Sequence, residues 1–175
     1  MGFLLAVLGA MGAVGFWMWR ARDAAAGARA AMDLAGDAAS ALRRFGFRRK
    51  AGVNPLDAEE DPRLAAMAAM ASMARMDGER TAAQTAVLTA AAKDLFQVGQ
   101  DEARDMAAYG FWLSAQAEPE EALRRLDRNL SRSLGPKEWA ELISAMRAAG
   151  VAEGPLSERQ AEALMRIERA RQAST

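Results

Sequence analysis

Two short stretches of this chain repeat one spacing, and that repeat constrains the fold more than any other feature. Asp77, Gly78, Thr81 and Gln84 stand at offsets 0, 1, 4 and 7, and Glu153, Gly154, Ser157 and Gln160 stand at the same offsets. An acid followed by Gly suits the end of a helix, with the Gly free to take a left-handed turn. Thr or Ser followed three residues later by Gln suits the start of the next helix as a capping box. Each stretch therefore reads as a helix junction. The residues before the first junction agree: Asp61 is placed as an N-cap with Pro62 at the first helical position. Leu64, Met67, Met70, Ala71 and Ala74 then recur at helical spacing.

The same signals continue along the chain. A helix opens at Thr81 and runs to about Gln97, where Val98-Gly99 ends it. Asp101 reads as the cap of the next, which carries Tyr109, Phe111 and Trp112. Glu118-Pro119 opens another, with Leu123, Leu126, Leu130 and Leu134 along one line, and Gly135-Pro136 breaks it. Lys137 to Ala149 carries Trp139, Leu142, Ile143 and Met146, and Ser157 opens the last helix, with Leu164 and Ile167. No stretch alternates with the period of two that an exposed strand would show. The expectation is an all-α bundle of about six short helices over residues 61–175. Met67, Met70, Met73 and Met76 lie along one side of the first of them and are expected in the core, with the four aromatics.

The N-terminal part has a different character. Phe3 to Trp19 holds no charge, and 17 helical residues reach roughly 25 Å, the short end for a bilayer core. Trp17 and Trp19 close the run where aromatic belts form, and Arg20 and Arg22 follow at once. No basic n-region precedes the run, so it reads as a membrane anchor over residues 1–22 rather than a cleaved signal peptide. The positive-inside rule then puts the N-terminus outside and the remainder in the cytoplasm. Residues 20–50 carry eight basic and three acidic side chains, whereas residues 51–175 carry fifteen basic and twenty acidic ones. A basic neck and linker over residues 23–60 thus joins an acidic body to the anchor. Within the neck, Arg43, Arg44, Arg48, Arg49 and Lys50 surround Phe45 and Phe47. Basic residues interleaved with aromatics suit an anionic membrane surface. Nucleic acid and a plain solvated linker are the competing readings of the same residues. Ala51 to Glu60 is polar and turn-rich, a hinge between anchor and body.

The chain has no Cys and no His. That excludes thiol and imidazole nucleophiles, histidine general bases, and zinc, haem or iron–sulfur sites built from those residues. There is no phosphate loop and no Gly-x-Ser-x-Gly elbow. The expectation is a non-enzymatic protein with no small-molecule substrate and no resident cofactor. One site for chemistry remains. Asp77, Glu79, Glu153 and Glu158 flank the junctions, and if the fold brings the junctions together they offer oxygen ligands to a hard divalent cation such as calcium. The competing reading is that both junctions simply end one helix and start another.

On these residues, the chain over about 60–170 resembles the tellurite-resistance TerB-like family, an all-helical fold that also forms the membrane-proximal domain of DjlA-type co-chaperones. The resemblance rests on DPRLAAMAAMASMARMDGE at 61–79, on the Leu123–Leu134 helix, and on the second junction at 148–160. It implies metal-associated acidic residues at both junctions, where the family has Asp-Gly followed by Glu. Asp77, Gly78 and Gly154 match that pattern. Glu153 stands in place of Asp, and Gln84 and Gln160 stand in place of both Glu residues, which removes two formal charges. DjlA-type proteins likewise begin with one membrane span and face the cytoplasm, but their activity needs a J-domain with His-Pro-Asp, and this chain has no His. The resemblance implies a single-pass protein of the bacterial inner membrane, with protein partners in tellurite or envelope stress.

Overall fold

The computed structural model of the chain describes Arg44, Phe45 and residues 53–172. The anchor of residues 1–22 lies outside the described residues, and so does the neck except for Arg44 and Phe45. All of the described residues belong to one compact unit, residues 38–175. Seven helices are found among them, and no strand: α1 (Pro55–Ala58), α2 (Pro62–Ala74), α3 (Ala82–Phe96), α4 (Gln100–Ser114), α5 (Pro119–Ser133), α6 (Pro136–Gly150) and α7 (Glu158–Gln172). The all-α expectation holds. No helix among the described residues is long and apolar enough to cross a membrane.

Helix α2 is the axis of the bundle. Asp61 caps it by accepting the Arg63 N–H at 2.9 Å, and Pro62 occupies its first position. Every residue from Leu64 to Ala74 is buried, which is why this segment is apolar all round instead of amphipathic. Helices α4, α5 and α6 pack around it, with α3 against α4 and α6, and α7 against α5 and α6. Met67, Met70, Met73 and Met76 are all core residues, as are Tyr109, Phe111 and Trp139, while Trp112 is partly buried. The one buried hydroxyl on α2, Ser72, donates to Ala68 O one turn back.

The alanines and one glycine set how closely the helices approach. A Cβ on Gly110 of α4 would stand 2.8 Å from the Met67 carbonyl carbon and oxygen, so α2 and α4 touch backbone to backbone at that crossing. Helix α5 is the amphipathic one: Leu123, Leu126 and Leu130 are buried, and its charged residues face out.

Three local expectations are corrected. Asp101 does not cap α4; Gly99 does, and Asp101 and Glu102 sit in the first turn, where their charge complements the helix dipole. Gly78 does not adopt a left-handed turn: of the two junction glycines only Gly154 has positive φ, at 151°. The stretch read as a hinge contains α1, capped by Asn54, with Leu56 fully buried. Asp57 of α1 pairs with Arg125 of α5 at 2.5 Å, so the chain before α2 is already pinned to the bundle.

Candidate functional site

The fold brings the two helix junctions together at the C-terminal end of α2. At the first, the Gln84 N–H donates to Thr81 Oγ1 at 3.1 Å and the Thr81 N–H donates to Gln84 Oε1 at 3.0 Å. At the second, the Gln160 N–H donates to Ser157 Oγ at 3.2 Å and the Ser157 N–H donates to Gln160 Oε1 at 3.0 Å. Both are complete capping boxes, one starting α3 and the other α7. The expected starts at Thr81 and Ser157 hold.

What the sequence does not reveal is where the other end of each glutamine goes. Gln84 Nε2 donates to Ala74 O at 2.7 Å, and Gln160 Nε2 donates to Met73 O at 3.1 Å. The two amides thus donate to consecutive carbonyls at the end of α2, of which Met73 O also accepts the Met76 N–H at 3.4 Å. They are 7% and 4% exposed, so the carbonyls they serve are shielded from water, where an unpaired group costs about 1–3 kcal/mol. Arg159 adds a third donor: its Nη1 lies 3.0 Å from Met76 O, and its other nitrogens pair with Glu120. A guanidinium there also opposes the negative end of the α2 dipole.

A cavity of about 350 Å³ lies between the junctions, and Asp77, Glu79, Thr81, Glu153, Gln84 and Gln160 are among its lining residues. Thr81 Oγ1 donates to Glu153 Oε1 at 2.5 Å, a direct bond from one junction to the other. Three of the four acids proposed as cation ligands therefore share one opening; Glu158, on the first turn of α7, is not among the lining residues. All four are exposed. Among the described residues, no group of three or more acidic side chains converges so as to hold a metal ion. The donor chemistry also fits a cation poorly, because both glutamine oxygens accept from cap N–H groups and both nitrogens face carbonyls. The side chains nearest the α2 end are committed to hydrogen bonds within the fold.

Of the residues read as a membrane-surface segment, Arg44 and Phe45 are described. Arg44 Nη1 lies 2.7 Å from Asp105 Oδ2, and the Phe45 ring meets Tyr109 edge-on, centroids 5.6 Å apart. Arg43, Phe47, Arg48, Arg49 and Lys50 lie outside the described residues. Tyr109 OH donates to Glu59 Oε2 at 2.6 Å. Burial first, then that bond to a carboxylate, pushes the phenol above its ordinary range, so it stays protonated and tied to the segment ahead of α2.

Sequence reasoning missed two arginines. Arg171 of α7 donates to Ser131 O and Leu134 O at the end of α5 and lies over the Trp139 ring at 5.3 Å. Like Arg159, it closes a helix end distant in sequence. The only signal available was their place on the last helix beside hydrophobic residues, and that does not name a partner. Comparison of the chain with protein-family models, with curated proteins and with solved structures finds no match.

Proposed function

We propose that the chain is a membrane-anchored, non-enzymatic interaction module. A TerB-like helical body is held by the N-terminal anchor at the cytoplasmic face of a bacterial inner membrane, where it engages protein partners in tellurite or envelope stress. The observation that carries this reading is the use made of the junction side chains. Thr81, Gln84, Ser157, Gln160 and Arg159 are spent on joining α2, α3 and α7, so the conspicuous sequence repeat serves a fixed scaffold. The apolar run and its basic flank support the anchor, and the acidic body supports a cytoplasmic, protein-facing surface. The test is affinity capture of the full chain from solubilised membranes beside its anchor segment alone. Partners specific to the full chain are expected; identical recovery from both baits would reject the module reading.

A second reading is favoured by one observation, the shared opening of Asp77, Glu79 and Glu153: the junctions sense a divalent cation. A ligand that binds only the folded chain must raise its stability, by about 2.7 kcal/mol at a hundred times Kd. Melting the full chain in detergent with millimolar calcium and with chelator decides it. Equal midpoints would end the sensor reading.

A further inference from the structure

A cleft of about 520 Å³ opens between α5 and α7. Leu123 of α5 and Ala163 of α7 are buried at its floor, with Ile167 partly buried beside them. Ala163, Ile167 and Ala170 recur at helical spacing, so the apolar row on the α7 side rises about 10 Å, two turns of helix. A trough of that length between two helices is the shape that a third helix fills, its side chains set between the two rows.

The α5 side of the cleft is acidic, and most of its charge is already answered. Glu121 accepts from Arg124 Nε at 2.8 Å, and Glu120 accepts from Arg159 Nε at 3.0 Å while also feeling the charge of Arg166. Asp127 is the exception. It is half-buried one turn beyond Leu123, and it makes no hydrogen bond or ion pair among the described residues. Burial is the larger influence on its carboxyl and pushes it above the ordinary Asp value, against an opposing pull from Arg171. The Arg171 guanidinium donates instead to Ser131 O and Leu134 O. A carboxylate stripped of part of its water and given no partner carries a free-energy cost that a docked cation removes.

We infer that the cleft between α5 and α7 is the docking site of an amphipathic helix of a partner protein, whose apolar side chains fill the trough over Leu123, Ala163 and Ile167 and whose Lys or Arg pairs with Asp127. This names the surface of the interaction module proposed above and rests on that reading. The occupant follows from the two halves of the site. The apolar floor favours any side chain that takes it out of water. Asp127, with Glu118 exposed at the N-cap of α5, selects a basic neighbour over an acidic one, because a like charge set against a desolvated carboxylate is repelled. The phosphates of lipid or nucleic acid meet the same repulsion.

The test titrates the full chain, kept in a neutral detergent, with two synthetic helices that share a Leu face and carry either Lys or Glu beside it. The chain has no cysteine, so Arg166→Cys bearing an environment-sensitive fluorophore reports from the rim of the cleft. The expected result is saturable binding of the Lys helix alone, weakening in high salt. Asp127→Asn in the labelled chain keeps the size of the side chain and removes its charge. It is expected to weaken the Lys helix about tenfold, between the effects of an exposed and a buried ion pair. That variant loses no hydrogen bond, so its urea midpoint should be no lower, which separates weaker binding from misfolding. Equal binding of the two helices, equal binding of the Lys helix to both chains, or no binding at all overturns the site. If the hexylammonium ion binds through Asp127 while neither helix does, the cleft takes a small organic cation and the partner helix is overturned. The module reading is decided separately, by whether the full chain captures partners that its anchor segment alone does not.

Discussion

The two junctions begin from the same residue pattern and finish differently. The first is compact: Gly78 has an ordinary backbone, and Thr81 both caps α3 and reaches across to Glu153. The second is wound more sharply, with Gly154 at φ 151°, and is reinforced by Arg159 on Met76 O and Glu120. The contrast teaches where local and tertiary physics divide. A capping box is decided within four residues, so Thr81-x-x-Gln84 and Ser157-x-x-Gln160 give the same object. The turn before it must deliver α3 and α7 to adjacent carbonyls of one helix end, and that demand is set by the bundle.

The largest test of that likeness is to remove what the two junctions share. Glu at positions 84 and 160 keeps the acceptor for the cap N–H but sets a carboxylate oxygen against Ala74 O and Met73 O, where an amide nitrogen now donates. Loss of a buried hydrogen bond plus a poorly paired buried charge predicts a destabilisation of about 4 kcal/mol for Gln84→Glu with Gln160→Glu. The two carbonyls are consecutive, so the single changes should not add. Urea midpoints of the singles and the double measure this. Calcium restoring the double variant, but leaving the unmodified chain unmoved, would show that the amides occupy the place of a cation.

Glycine separates the junctions most cleanly. A Cβ on either Gly78 or Gly154 meets nothing within 4 Å, so space cannot distinguish them and backbone conformation must. Gly154→Ala is expected to cost about 1–3 kcal/mol, because φ 151° lies where an L side chain is strained. Gly78→Ala is expected to be neutral or to stabilise by up to about 1 kcal/mol, through the less free unfolded chain. Thermal midpoints that move the same way in both variants would break the contrast.

The caps come next. Thr81→Ala and Ser157→Ala should each lose about 1 kcal/mol. A larger loss at Thr81 would measure its extra bond to Glu153, isolated by a double-mutant cycle with Glu153→Ala.

How much of this was legible in the chain follows the same division. Helix starts at Asp61-Pro62, Thr81 and Glu118-Pro119 were readable because caps and Pro act on their immediate neighbours. The buried Met67–Met76 face was readable because period and apolarity are local quantities. Asp101 misled because an acid serves equally as a cap or in the first turn, and the choice fell to Gly99. The end of α2 was illegible. Its carbonyls are served by Gln84, Arg159 and Gln160, and nothing in residues 70–76 announces partners so far along the chain. The meeting of the junctions was readable only as a condition, and the bundle supplied it.

The smallest effect belongs to the second junction alone. Glu120 lies on α5, and the hydrogen bond from Arg159 is the main influence holding its carboxyl below the usual Glu value of 4.5, against a small opposing effect of burial. A carboxyl whose pKa is lower folded than unfolded contributes stability that is full above about pH 4.5 and disappears as the pH falls through the folded value. Because the pair is exposed, its contribution is expected at about 0.5 kcal/mol or less. Glu120→Gln should therefore lower the urea midpoint slightly at pH 7 and leave no difference once both states are protonated in acid. The difference should also shrink in high salt, as an exposed pair requires. A loss that persisted in acid would mean that Glu120 acts through packing, and the second junction would then owe its reinforcement to Arg159 on Met76 O alone.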